Sequence, residues 1–173
     1  MRGISRSAPL PTTHVFDDGE WSLLRTVADA LEWSYGWKPA AAQRLHFVLD
    51  FAYATGLRAS ELIGATLGAI ETDSCGAQWL HLVGKGSKAG KVVQPPLPRA
   101  ALHSYLAQRG VPTTPAQQNP NARLIGSLDS QGEGGITVAR LWTVMRGFFR
   151  QAADVLQSRN HVVAEKLRRA SPH

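Results

Sequence analysis

Tyr53-Ala54-Thr55-Gly56-Leu57-Arg58-Ala59-Ser60-Glu61-Leu62 is the stretch on which the reading of this chain turns. Leu45, Val48, Leu49, Ala52 and Tyr53 recur at helical spacing, so the stretch begins as the last turn of a buried helix. Pro39 suits the first turn of that helix, and Gly56 suits its end, where a left-handed residue closes the backbone. Arg58 then lies between this helix end and a short second helix, predicted from Ser60 to about Thr66. A guanidinium placed there is held by the turn, and its planar fork suits bidentate contact with a phosphate. Glu61 follows three residues on and can share a face with Arg58. Taken alone, the two read more simply as a helix-end Arg–Glu pair of little energetic worth.

Upstream, Asp17 or Asp18 can cap a helix running to about Tyr35, with Glu20 favourable in its first turn. Its inward positions are Trp21, Leu24, Val27, Ala28 and Leu31, and Gly36 ends it. Downstream the period changes. Trp79 to Val83 suits a strand, Gly84 to Gly90 a turn, and Lys91 to Gln94 a returning strand, with Ile70 and its neighbours as a third. Pro98 to Gln108 reads as a helix with Leu102, Tyr105 and Leu106 inward. Little structure is expected in the long flexible loop from 110 to 135, which is rich in Pro, Asn, Ser and Gly. Val138 to Leu156 is a helix with one apolar face, and residues 162 to 170 suggest a last, basic helix. The fold class is mainly α with a small antiparallel β-sheet. Residues 1–15 read as a linker or frayed N-terminus and 16–173 as one domain.

With 173 residues, a 43% apolar fraction and five Trp, the chain is long and apolar enough for one globular core. A single cysteine, Cys75, excludes an internal disulfide and a cysteine-based metal cluster. Neither a signal peptide nor a membrane-spanning run is apparent, so a soluble cytoplasmic protein is expected. The net charge is +6, and all of it sits in one segment. From Ser74 to Leu128 there is no Asp or Glu, while Lys85, Lys88, Lys91, Arg99, Arg109 and Arg123 contribute six positive charges. Concentrated positive charge is the footprint of a polyanion, nucleic acid first, though a solvated face gives the same count.

Gly84-Lys85-Gly86 is a poor structural device, because a lysine between two glycines anchors nothing. There it can reach into a groove as a proton donor or phosphate contact. Ser87, Lys88 and Lys91 continue this edge as candidate DNA contacts, although edge charges also serve simply to block aggregation. His46, His81, His103 and His161 have no metal-ligand spacing, so no metal and no cofactor are expected. The Trp residues are spread through the chain and read as core.

In this order, the quoted stretch, the Gly-Lys-Gly turn and the closing Ser171-Pro172-His173 resemble the catalytic domain of the tyrosine recombinase (phage integrase) family. Phe16-Asp17-Asp18-Gly19-Glu20-Trp21 is similar to the helix that opens such domains. The resemblance implies that Arg58 clamps the scissile phosphate, Glu61 supports the active-site arginines, Lys85 protonates the leaving oxygen and His173 assists proton transfer. It implies a metal-free reaction through a 3′-phosphotyrosyl intermediate, with double-stranded DNA as partner and a homo-oligomer on DNA in the intact protein. A bacterial or phage-derived, nucleoid-associated protein follows. Four parts of the family's pattern are not met: the second arginine of the box beginning at Ser171, the later His or Trp, a nucleophilic tyrosine near the C-terminus, and the N-terminal DNA-clamping domain. Tyr35, Tyr53 and Tyr105 all precede His173 at apolar helical positions and read as core. The expectation is therefore a catalytic domain cut within its second motif, binding DNA without cleaving it. The alternative is a non-catalytic DNA-binding or interaction module, the remnant of a mobile element. Type IB topoisomerases share the phosphate clamp, but the compact motif spacing is more like an integrase.

Overall fold

Helix α3, Pro39–Thr55, is the axis of the molecule. Pro39 occupies its first turn, where the missing N–H is no loss. At its end Gly56 adopts φ +68°, and its N–H returns to the Ala52 carbonyl. Both boundaries fall where the sequence puts them. The computed structural model describes residues 16–83, 89–94, 96–128 and 134–170. Residues 1–15, Ser87 and the candidates Lys85, Lys88 and His173 lie outside the described residues. Lys91 is described in its backbone only.

Around α3 pack α1 (Asp18–Asp29), the short α2 (Leu31–Ser34), α5 (Pro96–Arg109) and, beyond α1, α6 (Val138–Leu156) with α7 (His161–Ala170). The α3–α5 contact centres on Phe47 and Tyr105, whose rings stack 4.5 Å apart at 4°. From α6, Met145, Phe148, Phe149 and Ala152 complete the core, all fully buried. Three strands, β1 (Ile70–Thr72), β2 (Gln78–Val83) and β3 (Ala89–Gln94), form an antiparallel sheet in the order β1-β2-β3. Its register pairs Leu80 with Ile70 and Val92, and His81 with Lys91. The mainly helical reading with a small antiparallel sheet is what the structure has.

Helix α1 opens with a capping box. Glu20 N–H donates to Asp17 Oδ1 at 2.8 Å, and Asp17 N–H to Glu20 Oε2 at 3.1 Å. The single helix expected up to Tyr35 instead breaks at Ala30. The chain beyond is tied elsewhere: Trp37 N–H donates to the Leu31 carbonyl at 3.1 Å and its indole Nε1 to Gln151 Oε1 at 2.6 Å on α6. One consequence is that Trp33, expected in the core, is 85% exposed.

The segment from 110 onward is mostly irregular, as its composition implies, but it is not loosely placed. Ala122, Leu124 and Ile125 are buried, and residues 120–124 run antiparallel to 65–68. Leu124 N–H donates to Ala65, Leu67 N–H to Ala122 and Gly68 N–H to Pro120, each at 2.9 Å. Three apolar residues among polar neighbours, too few to show a period, are enough to pin this loop.

Two glycine substitutions test this framework in opposite directions. Gly56→Ala puts a side chain into a left-handed position and lowers stability by about 1 kcal/mol. Gly147, inside α6 with open space where a Cβ would stand, has no such constraint. Gly147→Ala should raise stability by roughly 0.5–1 kcal/mol, read from urea midpoints at unchanged m value.

Candidate nucleic-acid interface

Arg58 sits immediately before helix α4 (Ala59–Gly64), with its backbone extended at ψ 156°. Leu57, Ala59 and Leu62 are buried on either side, so the turn that carries it is anchored in the core. Its N–H donates to Glu61 Oε2 at 2.8 Å. Glu61 thus binds the turn through the backbone of Arg58, and the half-buried guanidinium is presented from a fixed base. The two residues that sequence singled out together are together.

The far end of α4 is held just as firmly. Arg123 Nη1 donates to the Gly64 carbonyl at 2.9 Å, satisfying one of the acceptors left open at a helix C-terminus. Arg109 Nη1 in turn donates to the carbonyls of Arg123 and Leu124, both at 3.1 Å. Arg99 Nη1 reaches the Gly76 carbonyl at 3.3 Å. Three of the six cations in the acid-free segment are therefore engaged with the protein's own backbone. Net charge cannot distinguish an arginine that binds carbonyls from one that faces solvent.

A second cationic feature lies at the other end of α3, and sequence reading missed it. Lys38, Arg44 and Arg140 line a cleft of about 620 Å³ together with Ser127 and Thr137, and no carboxylate is among its described lining residues. Lys38 is the N-cap of α3, and Arg140 lies in the first turn of α6, whose N-cap Thr137 accepts from Arg140 N–H at 3.1 Å. Helix N-termini carry partial positive charge and disfavour cations. Two of them meet three basic side chains in this one cleft and give it a positive character. The available signal was a lysine and an arginine at helix starts, where acids belong.

Gly126, beside Ser127 of the cleft, ties two side chains together. Its carbonyl accepts from the buried Arg44 at 3.3 Å, and its N–H donates to the Tyr105 hydroxyl at 3.0 Å. The Arg109 guanidinium lies so close that a Cβ on Gly126 would stand 2.6 Å from it. Burial pushes the Tyr105 phenol up from its ordinary pKa, against the pull of the Gly126 N–H and of Arg109 and Arg44. The Tyr53 hydroxyl is engaged as well: it donates to Asp18 Oδ1, which raises its pKa, while its ring stacks on Trp21 at 4.5 Å. Tyr35 is half-buried against the core. Two of the three tyrosines are thus less deeply buried than their helical positions suggest.

No family model matches the chain. The tyrosine recombinases XerD of Brucella abortus and of Brucella suis are each 35% identical to it over 104 residues, 60% of this chain and 33% of theirs. Among solved structures, XerH site-specific recombinase bound to difH substrate in a pre-cleavage complex superposes with a TM-score of 0.58 at 16% identity, covering 96% of this chain and 51% of that one. XerA recombinase gives 0.55 at 16% identity, covering 88% and 47%. The chain spans about a third of the length of these curated relatives and about half of the solved ones. It contains a tyrosine recombinase catalytic-domain-like region.

Arg123→Ala should uncap α4, leaving the Gly64 carbonyl without its guanidinium at a cost of about 1–2 kcal/mol. Amide exchange in α4 should accelerate relative to α6, and unchanged exchange in α4 would show that Arg123 does not hold it.

Proposed function

We propose that these residues are the DNA-facing part of a site-specific recombinase of the tyrosine class, and that as they stand they bind duplex DNA without cleaving it. The observation that carries this reading is Arg58: a guanidinium on a turn buried at Leu57 and Ala59 and locked by Glu61, in a fold shared with DNA recombinases. A clamp of this kind positions a phosphate and offsets the charge that builds on its oxygens during strand transfer. In the intact enzyme Lys85 would protonate the leaving 5′-oxygen and His173 would assist, with Ser87, Lys88 and Lys91 along the backbone of the duplex. The cleft of Lys38, Arg44 and Arg140 gives a second phosphate contact at the opposite end of α3.

Cleavage needs a nucleophile that can leave its present bonds. Tyr105 is stacked on Phe47 with its hydroxyl on Gly126, Tyr53 is held by Asp18 and Trp21, and Tyr35 packs on the core. Each would have to give up these contacts to take that part. The bound form is a DNA complex that stops before chemistry. As in other strand-transferring enzymes, assembly of several copies on DNA would belong to the intact protein, which would act in the cytoplasm at the nucleoid.

Fluorescence anisotropy with a labelled duplex tests the binding. Affinity should fall steeply with salt, and Arg58→Ala, Lys38→Ala and Arg140→Ala should each reduce the salt slope by about 1 while weakening binding only modestly. A salt-independent affinity would refute the phosphate-contact reading. A covalent adduct trapped on a nicked duplex would refute the absence of cleavage.

A further inference from the structure

His46 lies on α3 with one ring nitrogen facing each of two carboxylates. Its Nε2 is 2.6 Å from Asp29 Oδ1 at the end of α1, and its Nδ1 is 3.2 Å from Asp50 Oδ2 one turn along α3. The first is a hydrogen bond and the second an ion-pair contact; since carboxylate oxygens only accept, a proton on both nitrogens is what leaves neither ring lone pair facing a carboxylate. We propose that His46 is an imidazolium in the folded protein and works as a proton-operated clasp that closes α1 onto α3.

The two carboxylates are not equivalent. Asp50 is 4% exposed and is gripped by Arg25 from α1: Nη2 donates to Oδ2 at 3.3 Å, and Nε approaches Oδ1 at 3.0 Å without the alignment of a hydrogen bond. Asp29 is 64% exposed. It is the last residue of α1, the helix end where an anion is least welcome, and α1 has no basic residue in its last turn. His46 supplies from α3 the cation that this helix end lacks. A neutral ring has one N–H and must release one partner. Asp50 cannot turn away from Arg25, whereas Asp29 can turn into water, so loss of the proton opens the α1 side.

What opens is a wall of a cleft of about 450 Å³. Asp29 with Glu32 and the exposed Trp33 of α2 forms that wall, His46 and Asp50 lie on α3, and Ser104 and Tyr105 face them from α5. Among the described lining residues α5 adds no carboxylate and no cation, so the charge balance here belongs to Asp29, Glu32, Asp50, His46 and Arg25. Hydrogen bonding to Asp50, opposed by burial and helped by Asp29, raises the His46 pKa from its ordinary value of 6.5. A raised histidine stabilises the fold fully below its unfolded pKa, and that contribution is lost as pH rises through the higher, folded value. The clasp is therefore closed below the ordinary histidine pKa and opens as pH rises through the raised one.

Nitrogen-15 NMR of the imidazole rings in the 173-residue chain, with the Trp33 indole N–H followed in the same titration, tests this without DNA. At mildly acidic pH both His46 nitrogens should show protonated shifts, the midpoint should lie above 6.5, and the Trp33 signal should step at the same midpoint. Asp29→Asn, at an exposed position that leaves the core intact, should lower the midpoint and shrink the Trp33 step. His46→Gln should abolish the step. A neutral ring at mildly acidic pH, a midpoint at or below the ordinary value, or a Trp33 signal indifferent to the His46 transition would each overturn the clasp.

Discussion

Between Arg44 and Ala52 every residue of α3 is buried except His46. A helix so enclosed cannot choose its own orientation, because each side is already fixed by a neighbour. Phe47 stacks on Tyr105 of α5, Asp50 is gripped by Arg25 of α1, and Arg44 reaches the Gly126 carbonyl. These contacts turn one helix into the reference for all the rest. The turn bearing Arg58 inherits its position from the C-terminus of α3, and the cationic cleft from its N-terminus.

Two charges are buried along this helix, and each is answered. Asp50 has a guanidinium and an imidazole, and Arg44 has a peptide carbonyl. Burial of an ion without such partners would cost far more than the packing around it returns. The arginines of the acid-free segment follow a related logic at the surface. Arg99, Arg109 and Arg123 donate to carbonyls that the irregular chain leaves open. On the DNA-binding reading, the same residue type thus serves two ends. Which end a given arginine serves depends on the backbone within reach, a property that no local sequence window contains.

That division marks how far the sequence could be read. Helix α3 was legible to the residue because Pro39 and Gly56 act locally, and α6 because nineteen residues repeat one apolar face. Arg58 and Glu61 were legible because three residues separate them. The break at Ala30 was not, since its cause is a hydrogen bond from Trp37 to Gln151, which are 114 positions apart. For the same reason Leu124 and Ile125 looked like loop residues: their partners lie across the fold near Ala65. Lys38 and Arg140 are neighbours only because α3 and α6 begin at the same place.

The straightness of α3 has a further consequence. Lys38 stands just before its first residue and Arg58 just after Gly56, so seventeen helical residues set them about 25 Å apart at roughly 1.5 Å per residue. On the DNA-binding reading the helix is a calliper, spanning the rise of some seven base pairs at about 3.4 Å each. A calliper tolerates changes of surface but not of length. Adding one residue to α3 would shift one jaw by about 1.5 Å and also swing it by about 100° around the axis. Among relatives, then, the exposed side chains along this helix are free to drift while the number of residues between its two ends is not.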